Sequence, residues 1–241
     1  MQIRIADVVK SSSNWRVYLE EHPWRSEHSE GFIDLVIHNK RSISAMIIEC
    51  KRVRDTAWVF LIPAKDPEKR DEVRLWLSDY EYEKWNSFGW RKWSAAPSSF
   101  ESQFCAIPGQ EHGRQTILER IASDLIEAVE ALALQERKVL TSRSALRRIY
   151  VPVIITTAEL RVSFFEPSSI SLCDGSLPED AAFEIVPYIR FRKSLRSEIK
   201  SEHESNSGEW EVLDAHKASE RIVFIVNAEK WSEFLDKWEV S

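Results

Sequence analysis

Apolar and polar positions along this chain recur with two different periods, and the changes of period divide it into elements. Residues 3–10 and 13–21 carry helical spacing; Ser12 or Ser13 caps the second segment and Pro23 stops it. A polar loop follows at 24–31. Two short apolar runs, 32–38 and 43–51, are separated by Asn39, Lys40, Arg41 and Ser42, which predicts a β-hairpin. Residues 57–62 predict a third strand, ended by Pro63. Helical spacing returns over 66–85, and 90–108 has the pattern of loop. The clearest helix is 113–136, where Ile117, Ile121, Leu125, Ala128, Val129 and Leu132 recur at steps of three and four. Residues 150–156 and 160–165 predict two strands, joined closely enough for a hairpin. Residues 184–191 predict another, which Pro187 confines to an edge or a bulge. The charged, Ser-rich stretch 194–209 is expected to be a mobile loop, 221–226 a strand and 229–238 a terminal helix. No internal repeat is present. Such an order implies an α/β sandwich around a mixed sheet.

Composition narrows the function classes. With 241 residues, 43% of them hydrophobic and 30% charged, the chain can bury a core, so global disorder and low-complexity classes are excluded. Its 33 basic and 39 acidic residues give a net charge of −6, which excludes a uniformly basic nucleic-acid coat. Cys50, Cys105 and Cys173 are too widely spaced for a zinc finger. An odd cysteine count without a secretory h-region implies a reducing compartment. No run approaches the roughly 18 apolar residues of a membrane span, so a soluble cytoplasmic protein with no membrane partner is expected. Five of the ten Trp fall between Trp58 and Trp93.

The chemistry concentrates in the first hairpin. With its turn at 39–42, His38 opposes Ile43 and Asp34 opposes Ile47. Side chains alternate with period two, so Ile47, Glu49 and Lys51 share one face with Asp34. A register shift of two residues sets Asp34 opposite Glu49 and keeps the face, whereas a shift of one breaks it. Two carboxylates and an ammonium in apolar strands are costly unless paired or metal-bound. Adjacent carboxylates favour a hard divalent cation such as Mg²⁺, with Mn²⁺ as a substitute. Asp34, Glu49 and the main-chain carbonyl of Cys50 are the candidate ligands. Lys51 is placed to orient a water or to stabilise charge on phosphorus.

This pattern, IDLVI followed after fourteen residues by IIECK, resembles the PD-(D/E)xK nuclease superfamily, and its Mrr-like, type IV restriction and DNA-repair branches in particular. The resemblance implies a restriction-endonuclease-like fold: a central mixed sheet flanked by helices, spanning 1–165 with a Trp-rich insertion at about 64–112. Residues 166–241 then form a C-terminal β/α extension of the same domain. It also implies a Mg²⁺-dependent DNA endonuclease or exonuclease in prokaryotic restriction, anti-phage defence or DNA processing. A homodimer or a separate motor or sensor subunit is an expected partner. A Glu on the helix before the first strand often joins the family's site, and Glu20 or Glu21 matches, Glu20 being preferred. The family's QxxxY motif has its nearest match at Gln115 without the Tyr, and Ile33 stands where a proline often precedes the motif Asp.

The (D/E)xK string also occurs at Glu136-Lys138 and Glu198-Lys200, but only Glu49-Lys51 sits in an apolar run with an upstream strand Asp. A structural ion pair, a non-cutting module of the same fold and an RNase are the competing readings. Lys40, Arg41, Arg52 and Arg54 flank the site in sequence and are candidate DNA-phosphate contacts. Arg143, Arg147, Arg148, Arg190, Arg192, Lys193 and Arg196 form two further basic groups. Trp85, Trp90 and Trp93, interleaved with Arg91 and Lys92, either stack on bases or pack the insertion against the sheet. The chain has no GxSxG, P-loop or GxGxxG string.

Overall fold

A computed structural model describes residues 1–27, 29–54, 56–65, 67–107, 116–139, 145–169, 182–195 and 219–241. Gln115, Arg143, Arg196 and the charged stretch 196–209 lie outside the described residues. The first helix, α1 (Gln2–Ser11), buries Ile5, Ala6 and Val9, the face its spacing predicts. The second expected helix does not form. Residues Trp15–Arg25 are a strand, β1, paired along its length with β2 (Glu30–Asn39) from Trp15↔Asn39 to Arg25↔Glu30. Aromatic and β-branched residues favour a pleated, half-buried surface, and cross-strand pairing overrides the helical spacing. Pro23 does not stop the element, because β1 is the edge of its sheet, where a missing N–H is tolerated.

β2 and β3 (Ser44–Lys51) form the expected hairpin, with His38 opposite Ala45 and Leu35 opposite Ile48. This register lies two residues from His38 opposite Ile43. The turn itself explains the shift. The side-chain carbonyl of Asn39 accepts from the N–H groups of Ile43 (2.9 Å) and Ser44 (3.2 Å), and Ser42 takes a φ of 56°. The loop therefore closes one residue later than the sequence suggested.

β4 (Ala57–Pro63) is a strand as expected, but it leaves the main sheet. It lies parallel to β10 (Glu159–Phe165) in a second, four-stranded sheet with β8 (Phe104–Ala106) and β11 (Glu184–Ile185). Likewise β9 (Leu146–Thr156) and β10 are no hairpin: β9 runs parallel to β3 in the main sheet. Two of the crossings between sheets, β3 to β4 and β9 to β10, run side by side. The Thr157 hydroxyl stitches the crossings together, accepting from Val53 N–H at 2.9 Å and donating to Val53 carbonyl at 2.8 Å.

The largest correction concerns 64–112. In place of a helix and a loop, β5 (Arg70–Glu81) and β6 (Lys84–Ser99) form a long antiparallel hairpin. Its two-residue turn, Tyr82-Glu83, has φ values of 51° and 63°, the positive angles of the tight turns that match strand twist. Leu75, Trp76 and Leu77 are all buried because both faces of β5 are covered, which erases the alternation expected of a strand. This segment is no appendage. β5 pairs directly with the first half of β9, while β13 (Glu220–Asn227) pairs with its second half. Pro152 lies at the fork. β12 (Tyr188–Ser194), β7 (Glu101–Ser102) and β14 (Glu239–Val240) complete ten strands in the main sheet. The expected strand 184–191 is split at Pro187, with β11 in one sheet and β12 in the other.

The fold is thus mixed α/β, a curled mixed sheet with few helices. One face carries α1 and the terminal helix α3 (Trp231–Lys237), with Ile5, Val9, Trp231 and Phe234 packed on Leu35, Ile48 and Phe224. The other carries α2 (Ile117–Val139) and the small sheet, with Leu125, Val129, Trp58 and Phe60 packed on Val36, Ile47 and Ile154. Among the described residues, no helix is long and apolar enough to cross a membrane.

Candidate functional site

Regular pairing of β2 with β3 ends at Leu35↔Ile48, and one step beyond it stand Asp34 and Glu49. Asp34 also has a structural role. Its Oδ2 accepts the Cys50 N–H at 2.7 Å, a side-chain substitute for the next rung of the ladder. From α1, Gln2 Nε2 donates to the Asp34 main-chain carbonyl at 2.8 Å. Glu49 and Lys51, two residues apart on one face, are ion-paired at 2.6 Å. Burial raises the Glu49 carboxyl above its usual range. The Lys51 hydrogen bond opposes this, the charges of Asp34 and Asp124 add to it, and the Lys51 charge lowers it. Between them, the Cys50 thiol packs toward the α1 side, where burial and then the two carboxylates push it up to about 12. That thiol is no nucleophile at neutral pH.

A cavity of about 240 Å³ opens over this pair toward α2, walled by Trp24, Phe32, Ile33, Glu49, Lys51 and Asp124. Asp124 is the acid that sequence reasoning missed. The signal was present: Asp124 falls three residues after Ile121 and four before Ala128, inside the apolar stripe of α2. Two more acids on this helix, Glu127 and Glu130, are buried by partners from distant segments. Glu127 accepts from the Ser26 hydroxyl at 2.9 Å and from that of Ser29, holding the β1–β2 connection over the cavity. Glu130 accepts from Trp90 Nε1 at 2.8 Å, with the Arg221 guanidinium over the same indole.

Other expected site residues are dispersed. Glu20 lies on a strand, not a helix, opposite Leu35, and pairs with Lys10 of α1 at 3.4 Å. It is therefore on the sheet face away from Glu49. Glu21, at a φ of 49°, is the residue between Glu20↔Leu35 and His22↔Ile33, level with Asp34. Lys40 and Arg41 occupy the hairpin turn. From Ser44 to Glu49 alone the strand advances about 16 Å, so the turn is remote from the carboxylates. Arg52 and Arg54 follow β3 immediately and are exposed.

The other basic groups are largely engaged internally. Arg148 pairs with Glu136, Lys193 with Glu119, and Arg192 with Glu101 at 3.1 Å. Arg190 is buried and donates to the carbonyls of Glu72 (3.1 Å) and Ala95 (2.8 Å). Trp90 is in the core, edge-on to Trp76, and Trp85 packs with Tyr80, Phe88 and Arg137. These Trp serve packing.

Among the described residues, no three His, Cys, Asp or Glu side chains converge as a ready metal cage. The donor chemistry nevertheless fits Mg²⁺, which keeps several waters and needs only one or two carboxylates. Asp34 and Glu49 are hard oxygen donors where the β2–β3 ladder ends, and Glu49 lines a cavity that admits water. In comparisons with known proteins, no family model, no curated protein and no solved structure matches the chain.

Proposed function

We propose that this chain is a Mg²⁺-dependent nuclease of the restriction-endonuclease-like kind, acting on DNA. The observation that carries the reading is the join of topology and chemistry. A helix, an antiparallel β1–β2–β3 meander, a long helix and a strand parallel to β3 follow in that order. Asp34 ends the regular pairing of the second strand, and Glu49 and Lys51 end the third. This order supports the reading through β1, β2 and β3 in place of the expected strands 32–38, 43–51 and 57–62, with β4–β8 between the third strand and α2.

Asp34 and Glu49 would hold the cation. When bound, Mg²⁺ supplies Lewis-acid polarisation of a phosphoryl oxygen and acidifies a water. Lys51, paired with Glu49 at 2.6 Å, would orient the attacking water or meet charge developing on phosphorus. Arg52 and Arg54 extend a positive surface from the same strand end for the flanking phosphates. An acidic chain with one basic margin engages DNA at a site without coating it.

The test is incubation of the protein with plasmid, linear duplex, single-stranded DNA and RNA, each with Mg²⁺, Mn²⁺ or EDTA. Cutting that needs the metal and disappears in Lys51→Ala and Asp34→Asn is the expected result. Absence of cutting on every substrate, with no Mn²⁺ bound in calorimetry, refutes the catalytic reading. It then favours a binding module in which Glu49–Lys51 is a structural pair.

A further inference from the structure

The aromatic residues singled out in sequence are packed into the protein, yet a different ring stands open beside the candidate site. Phe32 on β2 is 67% exposed and forms part of the wall of the cavity that holds Glu49 and Lys51. It precedes Asp34 by two residues, an advance of about 7 Å along the strand. Its backbone is held on both sides. Trp24 covers Gly31 so closely that a Cβ there would meet the indole Nε1 at 3.2 Å, and Ile33 is buried. The position of Phe32 is therefore set by its neighbours, and its ring is left to water. Lys51, Arg52 and Arg54 lie at the adjoining end of β3, and Glu30, Glu49 and Asp124 share the cavity wall with Lys51.

An exposed ring beside Lys51, Arg52 and Arg54 fits a nucleic-acid strand with an unpaired base. Aromatic faces stack on any base, and the neighbouring cations hold the backbone. The ring is single and the cavity of about 240 Å³ is small, which suits one splayed nucleotide better than a paired stack. Resting on the nuclease reading of the same site, we propose that Phe32 is a base-stacking platform. It selects single-stranded or frayed nucleic acid and sets the next phosphodiester over Asp34 and Glu49.

The experiment measures binding without catalysis. A short oligodeoxynucleotide carrying one 2-aminopurine is titrated with the full chain in EDTA, as a single strand, as a duplex, and as the RNA equivalent. Wild type is expected to quench the single strand and bind it about tenfold more tightly than Phe32→Ala, the loss of one stacked base. Phe32→Trp should retain both signals. Tyr82→Ala, which removes a still more exposed ring at the β5–β6 turn, should change neither. Unchanged binding in Phe32→Ala, equal weakening on duplex and single strand, or no binding by wild type overturns the proposal. So does a concentration-dependent dimer lost in Phe32→Ala with strand binding intact, which would assign the ring to a second copy. Cleavage is scored separately. Metal-dependent cutting with no Phe32 effect removes the platform alone, whereas Phe32-dependent quenching without cutting removes the catalytic reading and keeps the platform.

Discussion

Asp34 carries two duties that two substitutions can separate. Its carboxylate is a candidate metal ligand, and its Oδ2 also accepts the Cys50 N–H at 2.7 Å where the β2–β3 ladder ends. Asp34→Ala removes both. A hydrogen bond to an ionised acceptor is worth about 1.5–3 kcal/mol, and at this half-buried position water recovers part of it, so the loss expected is about 1–2 kcal/mol. For a chain of 241 residues that corresponds to a Tm lower by about 2–8 °C. Asp34→Asn keeps a side-chain carbonyl for Cys50 and relieves the repulsion with Glu49. Its stability in EDTA should stay within about 0.5 kcal/mol of wild type. Both variants should lose more than about tenfold in Mn²⁺ affinity, a loss that even an outer partner of a metal site can produce. Urea unfolding in EDTA reads the first quantity and calorimetric Mn²⁺ titration the second. Equal destabilisation of the two variants would mean that the Cys50 bond does not hold this strand end. Wild-type Mn²⁺ affinity in both would mean that the carboxylate is no ligand.

Further expectations follow from buried groups. Trp90→Phe strips the Glu130 carboxylate of its indole donor and opens a gap beside Trp76, so it should cost about 3 kcal/mol. Trp85→Phe, half-buried, should cost less than about 1 kcal/mol, and similar losses by urea unfolding would contradict the packing described. His38, stacked on Tyr18, is held neutral by burial and by Arg148 and Arg16, which lower it from 6.5 to about 3. The unfolded chain therefore binds the extra proton. Stability should fall as pH drops from 6.5 toward 3, by up to about 1.4 kcal/mol per pH unit from this group. His38→Phe should flatten that part of the profile, and an unchanged slope would refute the assignment. Lys51→Met removes the groups that lower the Glu49 carboxyl, so its NMR midpoint should move further up. No movement would show that the pair at 2.6 Å does not persist in solution.

The sequence determined what short-range rules govern. A strand's period of two fixes Glu49 and Lys51 on one face whatever the rest of the chain does, and the hairpin brings Asp34 to them because only four residues intervene. An error of two residues in register still left Asp34 one step past Leu35↔Ile48, level with Glu49. α2 was legible because its stripe recurs over many turns. Tertiary structure decided everything that depends on which segments meet. β1 and β5 have spacings compatible with a helix, and only their ladders with β2, β6 and β9 make them strands. Covering both faces of β5 removed the alternation that marks a strand, and the Trp residues became core because that hairpin joined the sheet. Glu20 moved to the opposite face for the same reason. Asp124 entered the cavity because α2 lies across β3, a contact more than seventy residues long-range in the chain. Whether a charge is a ligand, a buried partner or a surface residue is set by its distant neighbours, and these are what local pattern does not encode.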